Sequence, residues 1–118
     1  MQRYVSLNQN KDFLRLYYRG KSCAKPSVVV YAAKNRAGVC RIGITTSKKI
    51  GNAVERNRSR RIIKAAWQNV FRDNQIKGNW DFVFVARNKT KFQKSTVVAN
   101  AIADSLKELG IIDEKRSD

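Results

Sequence analysis

Residues 47–72, SKKIGNAVERNRSRRIIKAAWQNVFR, decide how this chain folds. Asn52 and Glu55 have the spacing of a helix N-cap and the third residue after it, a capping-box start with Asn in place of the usual Ser or Thr. At about 100° per residue, a helix over residues 52–72 gathers Ile62, Ile63, Ala66, Trp67 and Val70 on one side. Arg56, Asn57, Arg60, Arg61, Lys64 and Gln68 gather on the other, with Arg58 on a flank. One side is therefore a core stripe and the other a cationic ridge. Residues 77–79 supply the break that ends the segment.

Upstream, the only proline, Pro26, precedes a β-branched run over residues 28–33 that reads as a strand. Residues 35–38 read as a turn and residues 40–46 as the returning strand. Nearer the start, Asn8 or Asn10 is positioned to cap a helix reaching Arg19, with Gly20 as its stop. Downstream, residues 80–86 form another β-rich run. Ser95 is placed to cap a last helix ending at Leu109, before Gly110, with Val98, Ile102, Leu106 and Leu109 as its buried stripe. The order α-β-β-α-β-α predicts an α+β sandwich, one domain over residues 1–118 whose helices cover part of a small central sheet. The polar residues 113–118 are expected to fray.

Charge narrows the function. Twenty-five Lys and Arg against nine Asp and Glu give +16 over 118 residues. Between Asp12 and Glu55 nine basic residues fall with no acidic one among them. A surface built only for solubility mixes both signs, so a continuous positive face and a polyanionic partner are the better reading. No apolar run approaches the roughly 20 residues that span a bilayer, and no lipidation motif is present. The segment MQRYVSLNQN lacks a signal core, which predicts a cytosolic protein. Cys23 and Cys40 are too few for a zinc site and there is no His, so both read as small apolar packing residues rather than a disulfide. The missing His also removes Ser-His-Asp and Cys-His nucleophilic chemistry.

The ridge is chemically specific. Lys49, Arg56, Arg58, Arg60, Arg61 and Lys64 are six cations with only Glu55 nearby to balance them. Like charges at i, i+4 repel, so the ridge weakens its helix unless an anion fills it. Guanidinium forks grip phosphate oxygens in two-point fashion and stack on bases. Asn57 both donates and accepts, which suits base edges and ribose hydroxyls. Gly51 offers a backbone that a phosphate can approach.

A second surface follows from strand alternation. Tyr31 points opposite to Val28, Val30 and Ala32, and Thr45 opposite to Ile42 and Ile44. If the aliphatic side is core, Tyr31 and Thr45 face outward. Phe13 and Tyr17, at i, i+4 on the first helix, are positioned to wall one side of that face and the start of the basic helix the other, with Lys48 or Lys49 to meet phosphates. Such a groove suits a single strand of RNA. Equally, Phe13 and Tyr17 can simply pack the helix onto the sheet. Asp12, Glu55, Asp73 and Asp81 are scattered, without ligand spacing, and read as caps, turn residues or surface ion-pair partners rather than as a nuclease metal site.

The run SKKIGNAVERNRSRR, residues 47–61, resembles the signature of the bacterial ribonuclease P protein component, centred on Arg56, Asn57 and Arg58. Asp12-Phe13 and Arg19-Gly20 in the first helix, Tyr31 in its strand, and DFVFVAR at residues 81–87 fall in family order, so the resemblance covers roughly residues 8–109. Arg60 stands where Lys is common in the family, and Tyr17 where another aromatic or apolar residue occurs. The resemblance implies a left-handed crossover between parallel strands, against the general preference. It implies that Arg56, Asn57, Arg58, Arg60, Arg61 and Lys64 contact a catalytic RNA. It implies that Phe13, Tyr17, Tyr31, Thr45 and Lys49, with Lys48 beside them, hold the 5′ leader of precursor tRNA. It further implies that the RNA carries the Mg²⁺ and the chemistry, and that the protein has no cofactor, catalytic residue or obligate protein partner of its own. A structural RNA binder, such as a ribosomal protein, explains the charge but not the groove.

Overall fold

The computed structural model describes residues 3–113, so the expectation for the tail lies, from residue 114 on, outside the described residues. The chain runs β1 (Tyr4–Ser6), α1 (Asn10–Arg19), β2 (Lys21–Ala24), β3 (Val28–Lys34), β4 (Cys40–Thr45), α2 (Ala53–Asp73), β5 (Trp80–Ala86) and α3 (Ser95–Glu108). Two 3₁₀ turns, Lys48–Ile50 and Thr90–Phe92, precede α2 and α3. The α+β class and the six expected elements are present. Two strands, β1 and β2, are additions: they are short, largely exposed edge strands that owe their conformation to their neighbours.

The sheet order is β1-β4-β5-β3-β2. β1 and β4 are parallel, as are β4 and β5, while β3 runs antiparallel to both β5 and β2. β4 and β5 are thus adjacent parallel strands joined through α2. β5 sits at the centre and is buried on both faces, which explains its nearly unbroken apolar sequence.

Strand alternation splits the core in two. On one face Val28, Val30, Ala32, Ile42, Phe82 and Phe84 pack against α2 and α3 through Ile63, Trp67, Val98, Ile102 and Leu106. Trp67, wholly buried, has the rings of Phe82 and Phe84 at 5.3 and 5.4 Å. On the other face Leu7, Leu16 and Val83 form a smaller cluster with Phe13, Tyr31, Ala33 and Val85. α1 lies over that face, so the sheet is covered on both sides.

Local chemistry at the helix ends differs from expectation at two points. The N-cap of α1 is Gln9, whose carbonyl accepts from Asp12 N at 3.0 Å, and neither Asn8 nor Asn10 caps it. Ser95 is the first residue of α3 and Lys94 its cap. Asn52 and Glu55 do form the full capping box: Asn52 Oδ1 accepts from Glu55 N at 2.9 Å and Glu55 Oε1 from Asn52 N at 3.0 Å. Gly51 serves that box. At φ 141° it adopts a backbone that other residues rarely do, and a Cβ there would lie 2.7 Å from Cδ of Glu55. The space expected to admit a phosphate is taken by Glu55.

Candidate nucleic-acid interface

The register of α2 buries Ser59, Ile63, Ala66, Trp67 and Val70. Asn57, Arg58, Arg60, Arg61 and Lys64 are consequently exposed. Arg56 is half-buried, donating from Nη1 to the Gly51 carbonyl at 2.8 Å, so it also braces the helix start. Glu55 is taken up mainly by partners off the ridge. The Lys91 ammonium 2.8 Å away, followed by the Asn52 N–H, holds its carboxyl below the usual carboxylate range. Among the described residues no carboxylate lies within ion-pair distance of Arg58, Arg60, Arg61 or Lys64.

β1 pairs only with residues 40–42 of β4 and the Leu7 N–H donates to the Ile42 carbonyl at 2.7 Å, so past Ile42 the β4 edge is open. A cavity of about 470 Å³ occupies that opening. Ser6, Leu7 and Asn8 line it after β1, Phe13 of α1 and Gly43 of β4 contribute apolar surface, and Arg60, Arg61 and Lys64 supply charge from α2. Arg60 Nη1 lies 3.4 Å from the Ile44 carbonyl on the open edge. Arg60, Arg61 and Lys64 of the ridge and Phe13 of the aromatic groove therefore share one opening, its α2 side supplied by residues further along the helix than the expected start. Thr45, Lys48 and Lys49 do not line it. They follow one another at the C-terminal end of β4, with Thr45 half-buried and both lysines exposed.

The aromatic residues have mixed roles. Phe13 packs on Gly43, where a Cβ would fall 2.6 Å from ring atom Cε1. Tyr17 is 39% exposed and meets Tyr31 edge to face, the centroids 5.0 Å apart. Phe13 is thus both packing and cavity lining, while Tyr17 presents ring surface to solvent. Gly43→Ala is expected to displace the Phe13 ring and destabilise the fold by about 1–3 kcal/mol. Adding Phe13→Leu should recover much of that loss; additive thermal-unfolding losses in the double variant would deny the contact.

Sequence reasoning missed the tie between α1 and the sheet. Asp81 is fully buried and accepts from Arg41 Nε and Nη2, each at 2.7 Å, and from Asn35 Nδ2 at 2.7 Å. Arg15 of α1 pairs with the same carboxylate, and Asp12 lies 3.9 Å from Arg15 and 4.0 Å from Arg41. Burial alone would raise the Asp81 pKa. The hydrogen bonds from Arg41 and Asn35, with the charges of Arg41 and Arg15, outweigh it and hold the carboxyl below its ordinary value. Asp81 is a buried anchor, not the surface or turn residue expected. The only advance signal was its place inside the apolar run of residues 80–86.

Both cysteines are free. Burial pushes the Cys40 thiol up, and burial followed by the hydrogen bond to Glu108, at 2.8 Å, does the same for Cys23. Neither is an activated nucleophile. Among the described residues no group of three or more His, Cys, Asp or Glu is placed to hold a metal ion, and no helix is long and apolar enough to cross a membrane.

The ribonuclease P family model matches residues 1–112. The chain belongs to the ribonuclease P protein family. Its relatives include the ribonuclease P protein component of Clostridium botulinum strain Loch Maree, 37% identical over 105 residues, which cover 89% of this chain and 94% of the relative. That of Clostridioides difficile strain 630 is 43% identical over 90 residues, 75% of this chain and 77% of the relative. The Staphylococcus aureus RNase P protein superposes with a TM-score of 0.76 at 31% identity, covering 92% of this chain and 97% of its own. The Thermotoga maritima RNase P protein gives 0.66 at 28% identity, covering 84% and 92%. A ribonuclease P protein component implies an RNA partner and a part in an endoribonuclease.

Proposed function

We propose that this ribonuclease P protein binds the catalytic RNA along the exposed ridge of α2 and the 5′ leader of precursor tRNA beside α1, promoting removal of the leader to give the mature tRNA 5′ end. The observation that carries the reading is the shared opening, where Arg60, Arg61 and Lys64 meet Phe13 and the free edge of β4. A groove charged on one wall and apolar on the other accommodates phosphates and bases of an extended strand together. Arg58 and Asn57, exposed on the helix, extend the RNA contact, and Arg56 adds charge while bracing Gly51. Tyr17 and Tyr31 offer ring surface to the leader. Thr45, Lys48 and Lys49 continue that surface at the end of β4.

Cleavage is assigned to the RNA, together with the Mg²⁺ that the holoenzyme requires. The described residues do not fit a protein-held Mg²⁺: Asp12 and Asp81 face Arg15 and Arg41, and Glu55 is committed to Lys91 and Asn52. The protein's share is to neutralise repulsion between two RNAs and to position the leader. It works in the cytoplasm without an obligate protein partner or a membrane.

Precursor tRNA cleavage at low Mg²⁺, with a bacterial ribonuclease P RNA, tests this. Adding the protein is expected to stimulate cleavage at the mature 5′ end, while the protein alone leaves the substrate intact. RNA binding without stimulation of a cognate RNA would reduce the role to structural RNA binding. Tyr17→Ala is expected to weaken leader-bearing substrate by about 5-fold or more, the scale of one lost base stack, and to leave leaderless tRNA unaffected. Equal losses on both would assign Tyr17 to packing.

A further inference from the structure

Phe92 is 79% exposed, yet the turn that carries it is firmly held. Thr90, two residues before it, is fully buried; its hydroxyl donates to the Ser27 carbonyl at 2.6 Å and accepts from Arg87 N at 2.9 Å. Lys91 Nζ donates to the Ile50 carbonyl at 2.6 Å and pairs with Glu55 at 2.8 Å, tying the turn to the first turn of α2. With its neighbours pinned inward, Phe92 projects outward from a fixed backbone. A lone exposed apolar side chain needs no explanation, but a rigidly presented ring inside a cationic field is different.

Three lysines supply that field. Lys91 Nζ lies 5.2 Å from the ring centroid, and Lys89 and Lys94 are exposed on either side in sequence. Glu55, the carboxylate that meets Lys91, also feels the charge of Arg58, so the ring stands beside the start of the ridge. Val54, 67% exposed in the first turn of α2, adds apolar surface at that end. With so much ring exposed, a face remains open beyond the one Lys91 approaches. An occupant must offer a flat π-surface and negative charge together. A nucleotide does both.

We propose that Phe92 is a stacking platform for an unpaired base of the RNA that lies along α2, with Lys89 and Lys94 meeting the adjoining phosphates. The proposal rests on the RNA-binding reading above and adds a contact outside both the cavity and the exposed face of the ridge.

The test compares wild type with Phe92→Ala, Phe92→Leu, Phe92→Trp and Arg58→Ala, measuring affinity for a bacterial ribonuclease P RNA and self-association by sedimentation. Phe92→Ala is expected to weaken binding by about 5- to 150-fold with an unchanged thermal midpoint. Phe92→Leu, which keeps apolar bulk without a π-face, should behave like Ala, and Phe92→Trp should retain affinity. The native Trp67 and Trp80 are 0% and 5% exposed, so in Phe92→Trp the new indole dominates quenching by RNA. Full affinity in Phe92→Ala beside a weakened Arg58→Ala overturns the platform alone. Loss of self-association in Phe92→Ala at unchanged RNA affinity also overturns it, in favour of a second copy. Failure of wild type to bind the RNA removes the RNA reading itself.

Discussion

Asp81→Asn should lower the unfolding free energy by about 3 kcal/mol, the low end for breaking a buried charge pair because its arginine partners keep some solvent. The thermal midpoint should fall by roughly 10 °C. The substitution preserves shape but leaves Arg41 and Arg15 facing a neutral amide where two-point hydrogen bonds had compensated them. The pH dependence identifies the cause. The folded Asp81 pKa is depressed, so its contribution is complete above the unfolded-state value near 3.9 and fades as pH falls through the lower folded value. Wild type and variant should therefore differ fully at neutral pH and converge progressively below about pH 4. A gap that persists undiminished into acid would mean that packing, not charge, holds the site. Because Arg15 belongs to α1 and Arg41 to β4, loosening this anchor should also disturb leader binding more than binding along α2, which packs on the opposite face of the sheet.

That anchor also shows where the sequence stopped being readable. α2 was legible because its signals are local: Asn52 and Glu55 cap each other three residues apart, and Ile63, Ala66, Trp67 and Val70 recur at helical period. That Tyr31 points away from Val28, Val30 and Ala32 was legible from alternation, but not that its face carries a second apolar cluster under α1. Asp81 was not, because its partners Asn35 and Arg41 come from 46 and 40 residues away and Arg15 from 66. Only the register, which sets Asp81 opposite both Ala33 and Arg41, brings them together. The same reason hid β1 and β2. Tyr-Val-Ser and Lys-Ser-Cys-Ala are too short to show a period, and their pairing is dictated by β4 and β3. With β1 unseen, the point past Ile42 where the β4 edge opens was unseen too, although a groove between α1 and the start of α2 was expected.

The largest effect on RNA binding is expected from removing the three cations at that cavity, Arg60→Ala, Arg61→Ala and Lys64→Ala together. At about 1 kcal/mol for each phosphate contact, affinity for ribonuclease P RNA should fall about 150-fold at physiological salt. The slope of log affinity against log salt should become shallower by about 2–3, because fewer counterions are released. The free protein should respond in the opposite sense. These side chains are exposed and have no carboxylate partner among the described residues, so their mutual repulsion is relieved and Ala is the better helix former. Stability should be unchanged or rise by up to about 1 kcal/mol. This opposition of signs separates the ridge from Asp81. A residue kept for folding loses stability when removed, whereas residues kept for a polyanion lose only the partner. If the triple variant instead unfolded at lower temperature and bound RNA with an unaltered salt slope, the ridge would be structural and the assignment of α2 to the RNA would fail.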